Sequence, residues 1–314
     1  MLDSVRIVLK KCMGLKKDES VLIVTDSELY DIGKVFFEEA KKISENCKLV
    51  KIPIPEVHGM EPPKDVSEDM QKHDVEILVT VKSLSHTAAR KNASKTGARI
   101  TTLPGITAET MKRAIDVDYD RLKEMTSKIS SILSKGDNVK ITTKAGTYLN
   151  FSIKGRECQG DDSGIYDKKG SFGNLPSGEA FLAPVEKTCN GTYVVDASFG
   201  GIGKLNSPIK VVVKDGYAVD FFGEDAGKLK EILEKFGKEA GNIAELGIGT
   251  NANAIITGNI LEDEKVFGTC HIALGNNSGF GGKADVPIHL DGIIKNPTIY
   301  VDNKKIMDDG KLIV

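Results

Sequence analysis

The segment PIHLDG, residues 287–292, carries two side chains of the types that bind metal ions. In a β-strand, residues two positions apart point to the same face, so His289 and Asp291 would project together while Leu290 faces the opposite, apolar side. An imidazole beside a carboxylate is a common two-point chelate for a divalent metal. The spacing leaves open an alternative, a hydrogen-bonded His–Asp pair in a surface strand.

His271 is the third candidate ligand, within the apolar run VFGTCHIALG that precedes a glycine-rich stretch. A titratable ring among apolar neighbours needs a partner, which is either a metal ion or a backbone carbonyl. Together with His289 and Asp291, it could form the facial triad of two histidines and one carboxylate found in non-haem iron enzymes.

Two glutamates stand at the edges of apolar segments, where carboxylates are rarely buried without a partner. Glu179 precedes the apolar FLAP, and Glu245 lies in ELGIGT just before a glycine loop. Each could instead be a solvated carboxylate, as we expect for the acid pair Asp161-Asp162. A dinuclear hydrolase site, in contrast, needs several carboxylates and histidines close together around two metals that activate a shared water.

Two further segments are candidates for substrate contacts. His86 lies in SLSHT, after an apolar strand and at the start of a helix, where strand-end loops commonly face ligands; capping of that helix by Ser83 or Ser85 is the alternative.

In the loop GNNSGFGG, glycines allow close backbone approach, and Asn277 and Ser278 could form hydrogen bonds with a substrate. We expect this loop to cover a cleft between two domains, with His86 opposite.

The first hundred residues alternate between apolar runs and amphipathic stretches, which predicts a parallel sheet with helices on both faces. The predicted strands cover 21–26, 48–54, 75–81 and 98–103, and the predicted helices cover 30–45, 65–72 and 83–94. The loop after the first strand, TDSELYDIG, matches neither the dinucleotide-binding glycine pattern nor a phosphate loop, so nothing supports a nucleotide site there.

A long helix predicted over 121–137 closes this α/β domain, and we place the boundary so that it spans 1–134. The remaining chain, 135–314, is predicted to be a mixed, β-rich α+β domain that holds the metal site. Its predicted elements are hairpins at 139–155 and 207–223, the second turning at Asp215-Gly216, a helix at 226–240 and short strands over 297–314.

Composition narrows the class of protein. The 314 residues include 43 basic and 45 acidic side chains, a net charge of −2, which gives no reason to expect nucleic acid or an anionic membrane as a partner. No apolar run approaches the roughly 20 residues needed to cross a bilayer, and the first residues lack a signal-peptide pattern. Five cysteines without CxxC spacing argue against a disulfide framework or a structural zinc site. We therefore expect a cytoplasmic protein.

The C-terminal half resembles a known family of enzymes. The stretch ELGIGTNANAIITGNILEDEKVFGTCHIALG, followed by IHLDG and PTIYVDNKKIMDDGKL, is similar to the C-terminal region of the aminopeptidase T family of thermophilic metallopeptidases. GNLPSGEAFLAPVE resembles the segment that supplies that family's first metal-binding glutamate. The similarity extends through KSLSHTAARK and TLPGIT, so it covers most of the chain.

This resemblance implies an aminopeptidase that hydrolyses small peptides in a homodimer. The family's dinuclear centre would hold two Zn, Co or Mn ions per chain, and Glu179 would be either a ligand or the general base. The implied ligands are Glu179, Glu245, His271, His289 and Asp291.

One departure from the family keeps a second reading open. The peptidases carry a tyrosine ligand shortly after the position of His271, but here GNNSGFGG contains no tyrosine. The same superfamily includes 2,5-dihydroxypyridine dioxygenases, which hold one Fe(II) with two histidines and an aspartate, matching His271, His289 and Asp291. A non-catalytic metal-binding relative is the third reading, and the presence of all five ligand positions argues against it.

Overall fold

The protein is described by a computed structural model covering residues 1–158 and 162–313. It divides into two compact units, the first formed by Met1–Tyr119 and Gly164–Ser177 and the second by Asp120–Ser163 and Gly178–Val314. Among the helices of the described ranges, none is both long enough and apolar enough to cross a membrane.

The first unit is built on a five-stranded sheet in which all neighbours run parallel. Its strands are β1 Val21–Thr25, β2 Cys47–Lys51, β3 Val75–Val79, β4 Arg99–Thr102 and β7 Phe172–Asn174, in the order β2-β1-β3-β4-β7. Its helices are α1 Leu2–Ile7, α2 Tyr30–Ala40, α3 Lys64–Met70, α4 Ala88–Thr96 and α5 Ala108–Thr110, with π-helical turns at Val8–Cys12 and Met111–Ile115.

Alternation along the strands explains how this sheet is covered. Leu22 and Leu78 face one side and pack with Met70 of α3 and Ala93 of α4. The intervening strand residues are also fully buried, on the opposite face, because successive side chains alternate. The prediction of a parallel-sheet α/β domain is confirmed.

Helix α4 begins later than predicted, at Ala88. The side chain of Thr87 caps it by accepting from the Arg90 amide, a role that the sequence had offered to Ser83 or Ser85. Ser85 is instead engaged with the sheet, because its hydroxyl lies 2.8 Å from Thr102 Oγ1.

The second unit contains two antiparallel sheets. The six-stranded sheet runs β11-β10-β16-β15-β14-β8 and the eight-stranded sheet runs β13-β12-β9-β6-β5-β17-β18-β19. The strands of the first are β8 Glu179–Leu182, β10 Ser198–Phe199, β11 Gly203–Lys204, β14 Ile243–Gly249, β15 Thr269–Gly275 and β16 His289–Lys295. Those of the second are β5 Asn138–Thr142, β6 Tyr148–Ser152, β9 Asn190–Val195, β12 Ile209–Lys214, β13 Tyr217–Phe222, β17 Thr298–Val301, β18 Lys304–Asp308 and β19 Lys311–Leu312.

Helices α6 Tyr119–Lys135, α7 Ala226–Glu234 and α8 Ile260–Asp263 and the 3-10 turns Lys238–Gly241 and Ser278–Phe280 complete the described elements of the second unit. The two sheets share one hydrophobic cluster, to which Ile141 and Val211 contribute from one sheet and Leu246 and Ile272 from the other. The mixed, β-rich prediction is confirmed. Asp215 and Gly216, with φ of 49° and 81°, make the predicted turn between β12 and β13.

The division between the units differs from the boundary predicted after residue 134. Ile129 and Leu133 of α6 lie in the hydrophobic cluster of the second unit, so this helix belongs with the β-rich part. Residues 164–177 return to the first unit because β7 pairs in parallel with β4, with Phe172 opposite Ile100. This pairing joins residues far apart in sequence, and local patterning does not report it.

Candidate metal centre

Four adjacent strands, β8, β14, β15 and β16, place the candidate ligands on one face of the six-stranded sheet. Their alternate residues, such as Ile248 and Ile272, point into the hydrophobic cluster, so the residues between them project from the opposite face. The structure brings together all five predicted ligands in two groups that share Glu245. Ligand atoms within each group lie within 4.8 Å of one another: Glu179, Glu245 and His271 in the first, and Glu245, His289 and Asp291 in the second.

Glu245 presents one carboxylate oxygen to each histidine. Its Oε1 lies 3.2 Å from His271 Nε2 and its Oε2 lies 3.4 Å from His289 Nε2. His271 Nε2 is also 3.3 Å from Glu179 Oε2, and His289 Nε2 is 3.2 Å from Asp291 Oδ1. Two imidazole nitrogens and several carboxylate oxygens therefore converge on a small region that is buried at Glu179, Glu245, His271 and Asp291 and is open to solvent at His289.

Two glycines of β14 make room for this arrangement. A Cβ atom at Gly247, which pairs with His271 in the sheet, would lie 2.0 Å from His271 Nε2. A Cβ atom at Gly249 would lie 2.2 Å from the carbonyl oxygen of Val266. The GIG sequence thus admits an imidazole ring at one position and a second stretch of backbone at the other.

The hydrogen bond of His289 defines how its ring can bind a cation. His289 Nδ1 lies 2.8 Å from the carbonyl oxygen of Asn276, which can only accept, so Nδ1 carries the proton. In the neutral ring, Nε2 then directs its lone pair towards the carboxylates of Asp291 and Glu245. A lone pair that faces two carboxylates is repelled by them unless Nε2 carries a proton or binds a metal ion. Imidazole nitrogen and carboxylate oxygen together are suitable ligands for Fe(II) and other divalent metals.

The pKa values of the site residues follow from burial and from these contacts. Burial raises the pKa of Asp291, but the neighbouring His289 outweighs it and lowers the pKa to about 2. Burial also raises the pKa of Glu245, but hydrogen bonds from His271 and His289 outweigh burial and bring this pKa below the usual value. The pKa of His289 is raised well above normal, because Asp291 and Glu245 outweigh the effect of burial. A metal ion binding here would therefore displace protons from the imidazoles.

Lys265 is a charged residue of the site that the sequence analysis missed. Its side chain is 1% exposed, and its ammonium forms ion pairs with Glu179 Oε1, with Glu264 Oε1 at 2.6 Å and with Asp162 Oδ2 at 3.7 Å. Burial lowers the pKa of Lys265, but Glu179 and Glu264 outweigh it and raise the pKa well above normal. Burial also raises the pKa of Glu179 to about 8.

The run LEDEK gave no signal of this burial, because consecutive charged residues are typical of a solvated surface. Asp162 was expected to be solvated, and its side chain is only 10% exposed beside Lys265. Its neighbour Asp161 lies outside the described residues.

The glycine-rich loop between β15 and β16 is held by Asn277. This side chain is fully buried, and its Oδ1 accepts a hydrogen bond from the Ala284 amide at 2.9 Å. A Cβ at Gly282 would lie 2.0 Å from Asn277 Cγ, so glycine is needed for this closure. Asn277 thus works within the loop, whereas Ser278 is exposed and bonds Asn276 Oδ1 at 3.1 Å. Substrate contact by Asn277 and by Ser278 stays a prediction.

Phe280 of the same loop brings an aromatic ring beside the candidate ligands. Its ring meets Phe181 edge to face, with centroids 5.6 Å apart and planes at 79°, and meets His289 similarly at 5.9 Å and 82°. The loop departs from the aminopeptidase pattern in having no tyrosine, and nothing in its sequence predicted this aromatic cluster. His86 lies in an exposed turn before α4 of the first unit, and its substrate contact across a cleft stays a prediction.

Comparison with known proteins identifies the family. The profile of the NicX family, 2,5-dihydroxypyridine 5,6-dioxygenase, matches residues 1–314. The chain belongs to this family. The 2,5-dihydroxypyridine 5,6-dioxygenase of Pseudomonas putida KT2440 is 24% identical over 257 residues, which cover 76% of this chain and 71% of the relative.

Two solved structures share the fold. The 2,5-dihydroxypyridine dioxygenase of Pseudomonas putida KT2440 has a TM-score of 0.88 at 19% identity, over 100% of this chain and 96% of its own. Wild-type AmpT from Thermus thermophilus has a TM-score of 0.75 at 16% identity, over 100% of this chain and 98% of its own. The fold that the sequence resemblance implied is therefore confirmed.

The aminopeptidase function implied by the resemblance, and with it the hydrolase and protease classes, was wrong. A dioxygenase family profile that covers the whole chain overturns it. The error has a physical reason, because one fold and one set of ligand positions can support different reactions. The second reading, a dioxygenase, has the support of both the family and the curated relative.

Proposed function

We propose that this protein is a ring-cleaving dioxygenase that acts on a dihydroxylated pyridine or a closely related aromatic ring. One Fe(II) ion would be held by His271, His289 and Asp291, the two-histidine, one-carboxylate set typical of non-haem iron oxygenases. The observation that carries the proposal is that these three side chains come from two neighbouring strands and meet at Glu245, whose two carboxylate oxygens face His271 and His289. His289 in turn lies 3.2 Å from Asp291, and the chain belongs to the dioxygenase family.

Bound Fe(II) supplies the electron-transfer chemistry that reaction of an organic ring with O₂ requires. The reaction balances without another reductant, because both oxygen atoms enter the product and a ring carbon–carbon bond breaks. The protein's own contribution is positional. Gly247 leaves space for His271, and the Asn276 carbonyl fixes the tautomer and orientation of His289.

Glu245 is suited to accept a proton from a substrate hydroxyl. Its carboxylate is buried and lies between the two histidines at hydrogen-bond range. Phe280 and Phe181 supply an apolar, aromatic wall against which a flat ring can pack edge to face. Both features suit a hydroxylated aromatic substrate.

The test measures iron content and oxygen uptake together. Metal-free protein is reconstituted anaerobically with Fe(II), and the iron bound per chain and the O₂ consumed with 2,5-dihydroxypyridine are recorded. His271→Ala, His289→Ala and Asp291→Asn should each lose iron and oxygen uptake while retaining the circular dichroism of the fold. His73→Gln, in the first unit, is the matched control and should retain both. Full iron content in folded His289→Ala, or no O₂ uptake by iron-loaded wild type, would contradict the proposal.

A further inference from the structure

The two carboxylate oxygens of Glu179 serve two different cation positions. Oε1 pairs with the ammonium of Lys265, whereas Oε2 faces His271 Nε2 at 3.3 Å. Glu179 is buried, and Oε2 makes no hydrogen bond within residues 1–158 and 162–313. A carboxylate placed in this way has the bridging arrangement of a two-cation centre, with one oxygen directed at each cation.

The position of Lys265 is fixed by its backbone. Its amide donates to the Glu262 carbonyl at 3.0 Å, and its own carbonyl accepts from the Asn251 amide at 2.8 Å. The absence of a side chain at Gly249 lets the backbone of 265–266 lie against β14, since a Cβ there would be 2.8 Å from the Lys265 carbonyl carbon. The side chain therefore enters the site from a constrained turn.

The surroundings of the ammonium are those of a hard metal ion. Three carboxylates, from Asp162, Glu179 and Glu264, lie around Nζ and supply only oxygen donors. Divalent cations select such donors, and in two-metal sites the ions are about 3.5–4 Å apart, within the span of one bridging carboxylate. Here an ammonium fixed to the chain lies at one oxygen of Glu179, whose other oxygen faces His271.

We propose that the Lys265 ammonium takes the place of a second metal ion and thereby limits the centre to one metal ion per chain. The inference rests on the proposed function, whose iron position it takes as given. Lys265 acts through Glu179, so it is a positioning residue. Loss of the Lys265 ammonium would leave three carboxylates, of side chains 9–13% exposed, without their cation. A divalent ion can stabilise such an arrangement.

The experiment counts metal ions with Mn²⁺ as the probe. Metal-free protein is titrated with Mn²⁺, and bound ions are counted by elemental analysis and by electron paramagnetic resonance. Wild type should bind one ion with an uncoupled spectrum. Lys265→Met should bind two ions with an exchange-coupled spectrum, while Lys265→Arg, which keeps the charge, should bind one. Lys144→Met removes an exposed lysine that pairs with Asp309 and should leave the count at one.

Two ions in the wild type, or one ion in Lys265→Met, would overturn the inference. If metal-free Lys265→Met does not fold, Mn²⁺ should restore cooperative unfolding, because the second ion replaces the missing charge; a variant still unfolded at saturating Mn²⁺ would also overturn it. A count of one in Lys265→Met, with iron lost in His289→Ala, refutes only the role of Lys265. Retention of iron in His289→Ala refutes the proposed function.

Discussion

The imidazole of His271 lies in the space that a side chain at Gly247 on the neighbouring strand would fill. A Cβ atom at position 247 would approach Nε2 to 2.0 Å and Cε1 to 2.1 Å, far inside van der Waals contact. His271 is also fully buried, so the ring has little freedom to move aside. The orientation of a candidate ligand is therefore set by a residue that has no side chain.

Gly247→Ala should displace the His271 ring and weaken metal binding by about 10- to 100-fold, the usual effect of losing a contact that orients a ligand. Isothermal titration of metal-free protein with Mn²⁺ would measure the affinity. Gly227→Ala is the control, because a Cβ at that position in α7 meets nothing within 4 Å. It should leave the affinity unchanged and alter stability by no more than about 1 kcal/mol. Equal affinities in the two variants would contradict this account of His271.

Phe280→Ala should weaken binding of an aromatic substrate. Removing an edge-to-face partner costs about 0.5–1.5 kcal/mol, so KM for 2,5-dihydroxypyridine should rise roughly 2- to 13-fold. Iron content should remain at the wild-type value, since Phe280 donates no ligand atom. Phe222→Ala, at an exposed position on β13, should leave KM unchanged. An unchanged KM in Phe280→Ala would show that Phe280 does not contact the substrate ring.

Glu76 of β3 is fully buried, and neither of its carboxylate oxygens has a hydrogen-bond partner among the described residues. Burial, with the nearby charge of Asp69, raises its pKa well above normal. Glu76→Leu should therefore increase the free energy of unfolding at neutral pH, by about 1–3 kcal/mol. Urea unfolding would measure the change.

The sign of the pH dependence tests the cause. Above the unfolded pKa of about 4.3 the unfolded chain loses this proton while the folded chain keeps it, so wild-type stability falls as pH rises towards the raised folded pKa. The advantage of Glu76→Leu should thus be largest at neutral pH and shrink below about pH 4.5. An advantage independent of pH would point to packing alone.

Glu19 and Arg99 form a bidentate ion pair in the first unit, with N–O distances of 2.8 and 2.7 Å. The hydrogen bonds from Arg99 lower the pKa of Glu19. A lowered carboxylate pKa contributes stability that is present above the unfolded pKa and is lost as pH falls through the folded pKa. Glu19→Gln should cost about 1–2 kcal/mol at pH 7 and progressively less below about pH 4.

The control for this pair is Glu68→Gln, which breaks the exposed contact of Glu68 with Lys64 at 3.8 Å. Its cost should stay below about 0.5 kcal/mol. Chemical denaturation at several pH values would measure both variants. A cost for Glu19→Gln that did not diminish in acid would show that the pair contributes through shape and not through charge.

Local patterns in the sequence were sufficient for the parallel α/β part and for the turn at Asp215-Gly216. They also predicted that His289 and Asp291 share a face, because strand alternation depends only on neighbouring residues. His271, Glu179 and Glu245 were candidates from their apolar surroundings, and the family resemblance then implied that all five are ligands. The structure places the five in two groups that share Glu245. The same resemblance implied the wrong reaction, because one fold can host different reactions.

What the sequence by itself determined was therefore the type of the elements that it predicted and the direction of their side chains, both of which depend on residues a few positions apart. Only the tertiary structure brought Lys265 beside Glu179, 86 positions away in the chain, and returned β7 to the first sheet. Strand pairing and the burial of charge depend on contacts between distant segments, which no local period records. The cation beside Glu179 could therefore be recognised only after the chain was folded.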